Sequence, residues 1–272
     1  MEKNIIACID ASNYAGSVAK GAGWLAKSIG VPVTLLHVLE VKGETALEDS
    51  EMGQRLNEIE SNQYALNKER GETLLSIAHD KIQNEYGIDS QKSLVNNQLL
   101  EQLKTMKDIT RFVVVGKRGE DSSDDIGFHI EKMLQSGDRP LLVVDKEFTI
   151  PETVLVAFDG SETMNRGVTD LAESPIFKNI ECHVVMVGSE TDENLAQLRW
   201  AKKTFKEAGV SVVMRLLQES SANKAITNYA EENDINCKVM GASSHSEFRK
   251  FLLGSESKSI LKKSQGTLII LR

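Results

Sequence analysis

The chain runs twice through one order of elements, and this internal repeat limits its fold more than any other feature of the 272 residues. Near the start, Asn4-Ile-Ile-Ala-Cys-Ile-Asp10 is an apolar run closed by an aspartate and followed by Ala11-Ser12. In the second half Val154-Leu-Val-Ala-Phe-Asp159 does the same, followed by Gly160-Ser161-Glu162. Helical spacing comes next in both copies: Val18, Ala22 and Leu25 in one, Val168, Leu171 and Ala172 in the other. Ser12 and Ser161 are expected to cap those helices.

A second apolar run, Val31-Pro-Val-Thr-Leu-Leu-His-Val38, is matched by Glu181-Cys-His-Val-Val-Met-Val187. Later, Arg111-Phe-Val-Val-Val-Gly116 matches Cys237-Lys-Val-Met-Gly241. The copies close on Pro140-Leu-Leu-Val-Val144 and Thr267-Leu-Ile-Ile-Leu271. Nearly continuous apolar strands alternating with helices predict an α/β fold, a parallel sheet covered on both faces. Two tandem open five-stranded sheets are expected, related by a pseudo-two-fold. The boundaries read as 1–146 for the first domain, 147–153 for a linker marked by Pro151, and 154–272 for the second. The closing strands would be apolar edges that need cover.

The copies differ at about residues 43–86, where the first carries a long polar insertion. The second has a shorter helix near 193–209, with Leu195, Leu198, Ala201, Phe205 and Ala208 on one face. In the first, Leu56, Ile59, Leu66, Leu74 and Ile77 fit one long helix imperfectly. A solvated surface helix is the plain expectation, and a partner-binding helix the sharper one.

Ligands of open parallel sheets bind beyond the carboxyl ends of the strands, where the strand order reverses. In the second copy that edge should gather Asp159, Val187 and the loop Gly241-Ala-Ser-Ser244-His-Ser-Glu-Phe-Arg-Lys-Phe-Leu-Leu-Gly254-Ser255. Gly254-Ser255 precedes a helix through Ile260 and Leu261. Unpaired N–H groups, a partial positive charge and a hydroxyl at such a helix start suit phosphate. That Gly and Ser only turn and cap the chain is the alternative.

The pattern resembles the signature of universal stress proteins, Gly-2X-Gly-9X-Gly-(Ser/Thr), and the resemblance covers nearly the whole chain apart from the linker and the 43–86 insertion. It implies a Rossmann-like fold of the adenine nucleotide alpha hydrolase type, with the signature loop wrapping ATP phosphates. It also implies an aspartate at the adenosine and a valine whose backbone meets adenine. The candidate nucleotide site of the second copy is then Asp159, Gly160, Val187, Gly241, Ser244, Gly254 and Ser255. The weaker candidate in the first copy is Asp10, Val38, Gly116, Gly119 and Gly127. Both copies depart from the pattern. Ser244 stands where the middle glycine belongs. In the first copy the loop before Gly127 is two residues short and Phe128 replaces the hydroxyl residue. Asp121, Asp124 and Asp125 would repel phosphate; Lys117 and Arg118 would offset that charge or face solvent. Members of that family pair through their last strands, so the resemblance implies that the two copies pair within one chain and the fusion mimics a homodimer; a further homodimer of the whole chain is left open.

Composition narrows the function classes. A formal net charge of −8 argues against a broad nucleic-acid footprint. No stretch approaches the roughly 20 apolar residues of a membrane span, and the amino terminus shows no signal-peptide pattern, so a cytoplasmic location is expected. Cys8, Cys182 and Cys237 are far apart in apolar surroundings and read as buried thiols; no metal site, metal cluster or flavin is expected. His37 and His183 read as structural, His79 and His129 have no assigned partner, and His245 in the phosphate-type loop either touches a ligand or faces solvent. No hydrolytic triad, GxGxxG or GxxxxGK[ST] element occurs. Asp10-Ala-Ser-Asn and Asp159-Gly-Ser-Glu also differ from the Ser-Gly-Gly-x-Asp-Ser loop of ATP pyrophosphatases.

The preferred expectation is a non-catalytic stress-response protein, sensing a ligand or binding protein partners that the sequence does not identify, with ATP as candidate cofactor of the second copy. The alternatives are a weak nucleotide hydrolase or phosphotransferase using His245 or Glu247, or a scaffold whose vestigial sites take another ligand.

Overall fold

A computed structural model describes residues 3–39, 51–119, 130, 132–133, 138–242 and 266–272. The elements of the first half are β1 (Asn4–Cys8), α1 (Ala15–Ile29), β2 (Val33–Leu39), α2 (Glu51–Tyr86), β3 (Ser90–Asn96), α3 (Leu99–Thr105), β4 (Thr110–Gly116) and β5 (Leu141–Val144). Those of the second are β6 (Thr153–Ala157), α4 (Glu162–Glu173), β7 (Glu181–Val187), α5 (Asp192–Glu207), β8 (Val212–Leu217), α6 (Ala222–Glu232), β9 (Cys237–Gly241) and β10 (Thr267–Leu271). Of the long polar insertion, residues 51–86 form helix α2, 36 residues against 16 in its counterpart α5, and residues 43–50 lie outside the described residues.

The two expected five-stranded sheets merge into one. Its order is β3-β2-β1-β4-β5-β10-β9-β6-β7-β8. Each half is parallel throughout, and the halves meet where β10 runs antiparallel to β5, with Leu268 opposite Val143, Ile269 opposite Leu142 and Ile270 opposite Leu141. The last two strands are buried along their whole length. Each large aliphatic side chain taken from water there contributes about 1.5–3 kcal/mol, so the two apolar edges cover each other.

The linker is held rather than loose. Ser17 Oγ donates to the Lys146 carbonyl at 2.6 Å and accepts from the Phe148 N–H at 3.1 Å. Phe148 is buried with its ring 5.7 Å from that of Trp24 on α1. In the second half Phe158, buried at the end of β6, stacks on half-exposed Trp200 of α5 at 6.3 Å.

One capping expectation is corrected. Ser161 caps α4, accepting from Met164 N–H. Ser12 is not the N-cap of α1, a position that Tyr14 takes; its hydroxyl donates to Asp10 and accepts from the Tyr14 N–H just ahead of the helix. No described helix is long and apolar enough to cross a membrane.

Candidate functional site

The first strand of each half lies between two neighbours that continue the chain in opposite directions across the sheet: β1 between β2 and β4, β6 between β7 and β9. Residues leaving those strand ends therefore meet at a reversal point. In the second half Asp159 follows β6, Val187 ends β7 and Gly241 ends β9, which brings three of the candidate residues to the carboxyl ends of adjacent strands. Ser244, Gly254 and Ser255, with His245 and Glu247, lie outside the described residues.

Asp159 is aimed by its own turn. Its Oδ1 accepts from the Ser161 N–H at 3.0 Å. Gly160 makes the turn at φ +68, a left-handed conformation that glycine adopts without strain. Two residues that the sequence reading passed over complete the loop. Asn165 of α4 donates from Nδ2 to the Gly160 carbonyl at 3.1 Å, while its Oδ1 is buried without a hydrogen-bond partner. Gln197 of α5 lies so close to Gly160 that a Cβ added there would fall 2.0 Å from its Oε1. Asn165 was findable, four residues after the capping serine; Gln197 gave no signal, because its contact depends on how α5 packs.

Beyond Val187 the chain is pinned by Gly188 N–H to the Leu217 carbonyl at 3.0 Å and by Asn194 Nδ2 to the Ser189 carbonyl at 2.8 Å. Gly241 abuts Met164: an added Cβ would lie 3.1 Å from its Sδ.

In the first half Asp10 Oδ1 accepts from the Ser12 N–H at 3.1 Å and from Ser12 Oγ at 2.5 Å. Val38 lies near the end of β2 and Gly116 ends β4. Tyr14, nearly buried, presses on Gly116, where an added Cβ would meet its Cβ at 2.5 Å. Gly119 brings the loop after β4 back over Asp10, an added Cβ falling 3.6 Å from Oδ2. Gly127, Phe128 and the three loop aspartates lie outside the described residues.

Lys117 departs from expectation. It is buried, and its Nζ lies 3.5 Å from Asp145 Oδ2, so it neither faces solvent nor reaches outward for phosphate. Burial pushes its pKa below the ordinary lysine value, against the pull of Asp145.

The histidines are structural where described. His37 Nδ1 lies 2.7 Å from the Ile9 carbonyl and His183 Nδ1 2.8 Å from Tyr229 Oη. His79, for which the sequence suggested no partner, has Nδ1 3.0 Å from Ser90 Oγ. Burial pushes all three thiols up to about 12, so none is a ready nucleophile. Among the described residues no group of three or more His, Cys, Asp and Glu side chains could hold a metal ion. A groove of about 890 Å³ between the linker and the amino ends of β6, β9 and β10 lies at the opposite end of those strands from Asp159.

The comparisons agree with this architecture. The chain is 29% identical over 288 residues to universal stress protein Slr1230 of Synechocystis, covering 99% of this chain and all of that one. A universal stress protein from Archaeoglobus fulgidus superposes with a TM-score of 0.69 at 20% identity, covering 98% of this chain and 97% of its own. Protein PA1789 from Pseudomonas aeruginosa PAO1 has a TM-score of 0.58 at 14% identity, over 99% and 92%. At such identities the two structures speak for the fold alone. The model of the universal stress protein family matches twice, over residues 1–145 and 151–272. This chain therefore belongs to the universal stress protein family, which it represents twice in tandem.

Proposed function

We propose that the protein is a non-catalytic stress-response module whose second half binds an adenine nucleotide, with ATP the first candidate. The observation that carries this reading is the meeting of Asp159, Val187 and Gly241 at the reversal point of the second half. A carboxylate fixed by a backbone N–H suits ribose hydroxyls, and a strand-end backbone suits the edge of a base. The buried, unpartnered Asn165 Oδ1 supplies one more acceptor beside this edge. The signature loop ending in Gly254-Ser255 would supply the phosphate contacts. On this reading residues 1–146 and 154–272 are the two units and 147–153 the joint between them. The first unit is the weaker site, because Tyr14 fills the space against Gly116 and Lys117 is committed to Asp145.

The test is the nucleotide content of freshly purified protein, then calorimetric titration of ATP into wild type, Asp159→Ala and Gly254→Asp. Micromolar binding lost in both variants supports the reading, and no binding by wild type at millimolar ATP defeats it. Phosphate release during the titration would shift the assignment to a hydrolase.

A further inference from the structure

Helix α2 has two halves with different surroundings. From Gly71 onward it packs on the body: Gly71 meets His37 and Leu94, and Leu75, Ala78 and Ile82 are buried. Before Gly71 every side chain from residue 57 to 70 is exposed. At 1.5 Å per residue, residues 51–70 form an arm about 30 Å long.

Such an arm is not self-sufficient. Isolated helices of this length are marginal in water, and Asn57, Ser61, Asn62 and Asn67 are weak helix formers. Three of its apolar residues nevertheless follow a strict rule, with Tyr64 off their line. Met52, Ile59 and Leu66 recur every seven residues and are 68%, 62% and 61% exposed. Leu56 and Gln63 lie between them, so that the stripe 52, 56, 59, 63, 66 alternates steps of four and three. Alternating steps of that kind make the seam of a two-stranded coiled coil, with one polar residue at its centre. Among the described residues Met52, Ile59 and Leu66 stay uncovered, whereas Leu56 is half-buried and Gly53 buried.

We infer that the arm is a dimerisation element: the Met52–Leu56–Ile59–Gln63–Leu66 seam packs antiparallel against the same seam of a second copy of this chain.

Three features select this occupant and orientation. The seam is self-complementary, since reversing one copy sets Leu56 against Leu66 and Ile59 against Gln63 in a closed two-fold contact. Residues 51–60 carry Glu51, Glu58 and Glu60 against Arg55, whereas residues 61–70 carry Lys68 and Arg70 against Glu69. Antiparallel pairing brings the acidic half beside the basic half and opposes the helix dipoles; parallel pairing does neither. It also sets the two bodies at opposite ends of the paired arms. At the midline of the sheet the apolar strands β5 and β10 already cover each other, so that edge is not open to a second copy.

The full chain in sedimentation equilibrium from about 1 to 100 µM, a range covering ordinary transient dimers, should reach twice its 30.1 kDa mass. The double variant Ile59→Glu with Leu66→Glu should weaken association about a hundredfold, because each carboxylate would lie unpaired in the seam. Ser61→Glu, on the far side of the arm, should leave association unchanged and controls for added charge. A short bismaleimide should join two copies of Ile59→Cys, near the two-fold, but not two copies of Met52→Cys, with wild type as the thiol control. A monomer at every concentration, a double variant that still dimerises, or equal cross-linking at 52 and 59 would each overturn the inference.

Discussion

The Gly266 N–H donates to the Asp145 carboxylate at 3.3 Å, joining two residues 121 positions apart across the midline of the sheet. The same carboxylate accepts from the Lys146 N–H at 2.8 Å and lies 3.5 Å from the Lys117 ammonium. Lys117 belongs to the loop after β4 in the first half, and Gly266 opens β10 in the second. One carboxylate thus ties the signature loop of one repeat to the closing strand of the other.

Burial alone would raise the Asp145 pKa, but the Lys146 N–H, the Lys117 charge and the Gly266 N–H hold it below the ordinary carboxylate value. A depressed carboxylate stabilises the fold above its unfolded pKa near 3.8, and that contribution is lost as pH falls through the still lower folded pKa. Asp145→Ala should cost about 3 kcal/mol at neutral pH, since it leaves the Lys117 charge buried without its carboxylate. Urea unfolding at pH 7 and pH 3 measures this, and the difference between wild type and variant should shrink at pH 3.

Gly266 and Gly30 are both left-handed, at φ +101 and +69, but their surroundings differ. Nothing lies within 4 Å of a Cβ added to Gly30, while one added to Gly266 would fall 2.1 Å from the Asn236 carbonyl oxygen. Gly30→Ala should therefore cost only the left-handed penalty of about 1 kcal/mol. Gly266→Ala must also move backbone at the start of β9 and should cost at least about 3 kcal/mol. Thermal unfolding of the two variants side by side gives the comparison.

The repeat made the central strands legible, because buried parallel strands read as unbroken apolar runs. That the last strands need cover followed from their apolar edges; that they cover each other followed from the family resemblance. The outer strand β3, Ser-Gln-Lys-Ser-Leu-Val-Asn, carries no such signal, since an edge strand half in water tolerates polar residues. At the site, Asp159, Val187 and Gly241 could be placed because strand ends carry them. Gln197 and Tyr14 could not, because their contacts arise from helix packing. Lys117 misled for a related reason: its acidic partner comes from the end of β5, 28 residues further on.

His183 Nδ1 meets Tyr229 Oη at 2.8 Å, and Nε2 lies 3.7 Å from Glu181. Burial lowers the His183 pKa below 6.5 despite the pull of Glu181. The neutral ring therefore stabilises the fold above pH 6.5, and this contribution is lost as pH falls through the folded pKa. Tyr229→Phe should cost about 1 kcal/mol at pH 7 by removing one hydrogen bond. An imidazole NMR titration of wild type should show His183 titrating below the ordinary range, and a midpoint at or above 6.5 would contradict the assignment.

Lys238 is, with Lys117, one of two buried lysines among the described residues; it lies on β9, where Leu268 of β10 is its register partner. Burial first, and then the charge of Lys117, lowers its pKa, while Cys237 and Glu231 pull the other way. A lysine with a depressed folded pKa costs stability while it is protonated. The fold should therefore gain stability as pH rises from that pKa toward the ordinary 10.5. Lys238→Met keeps most of the length of the side chain and removes its titratable group. It should flatten the alkaline rise, because the group that titrates differently in the folded and unfolded chain is gone. Urea midpoints of wild type and variant between pH 7 and pH 10 test this, and a rise as steep in Lys238→Met as in wild type would contradict it.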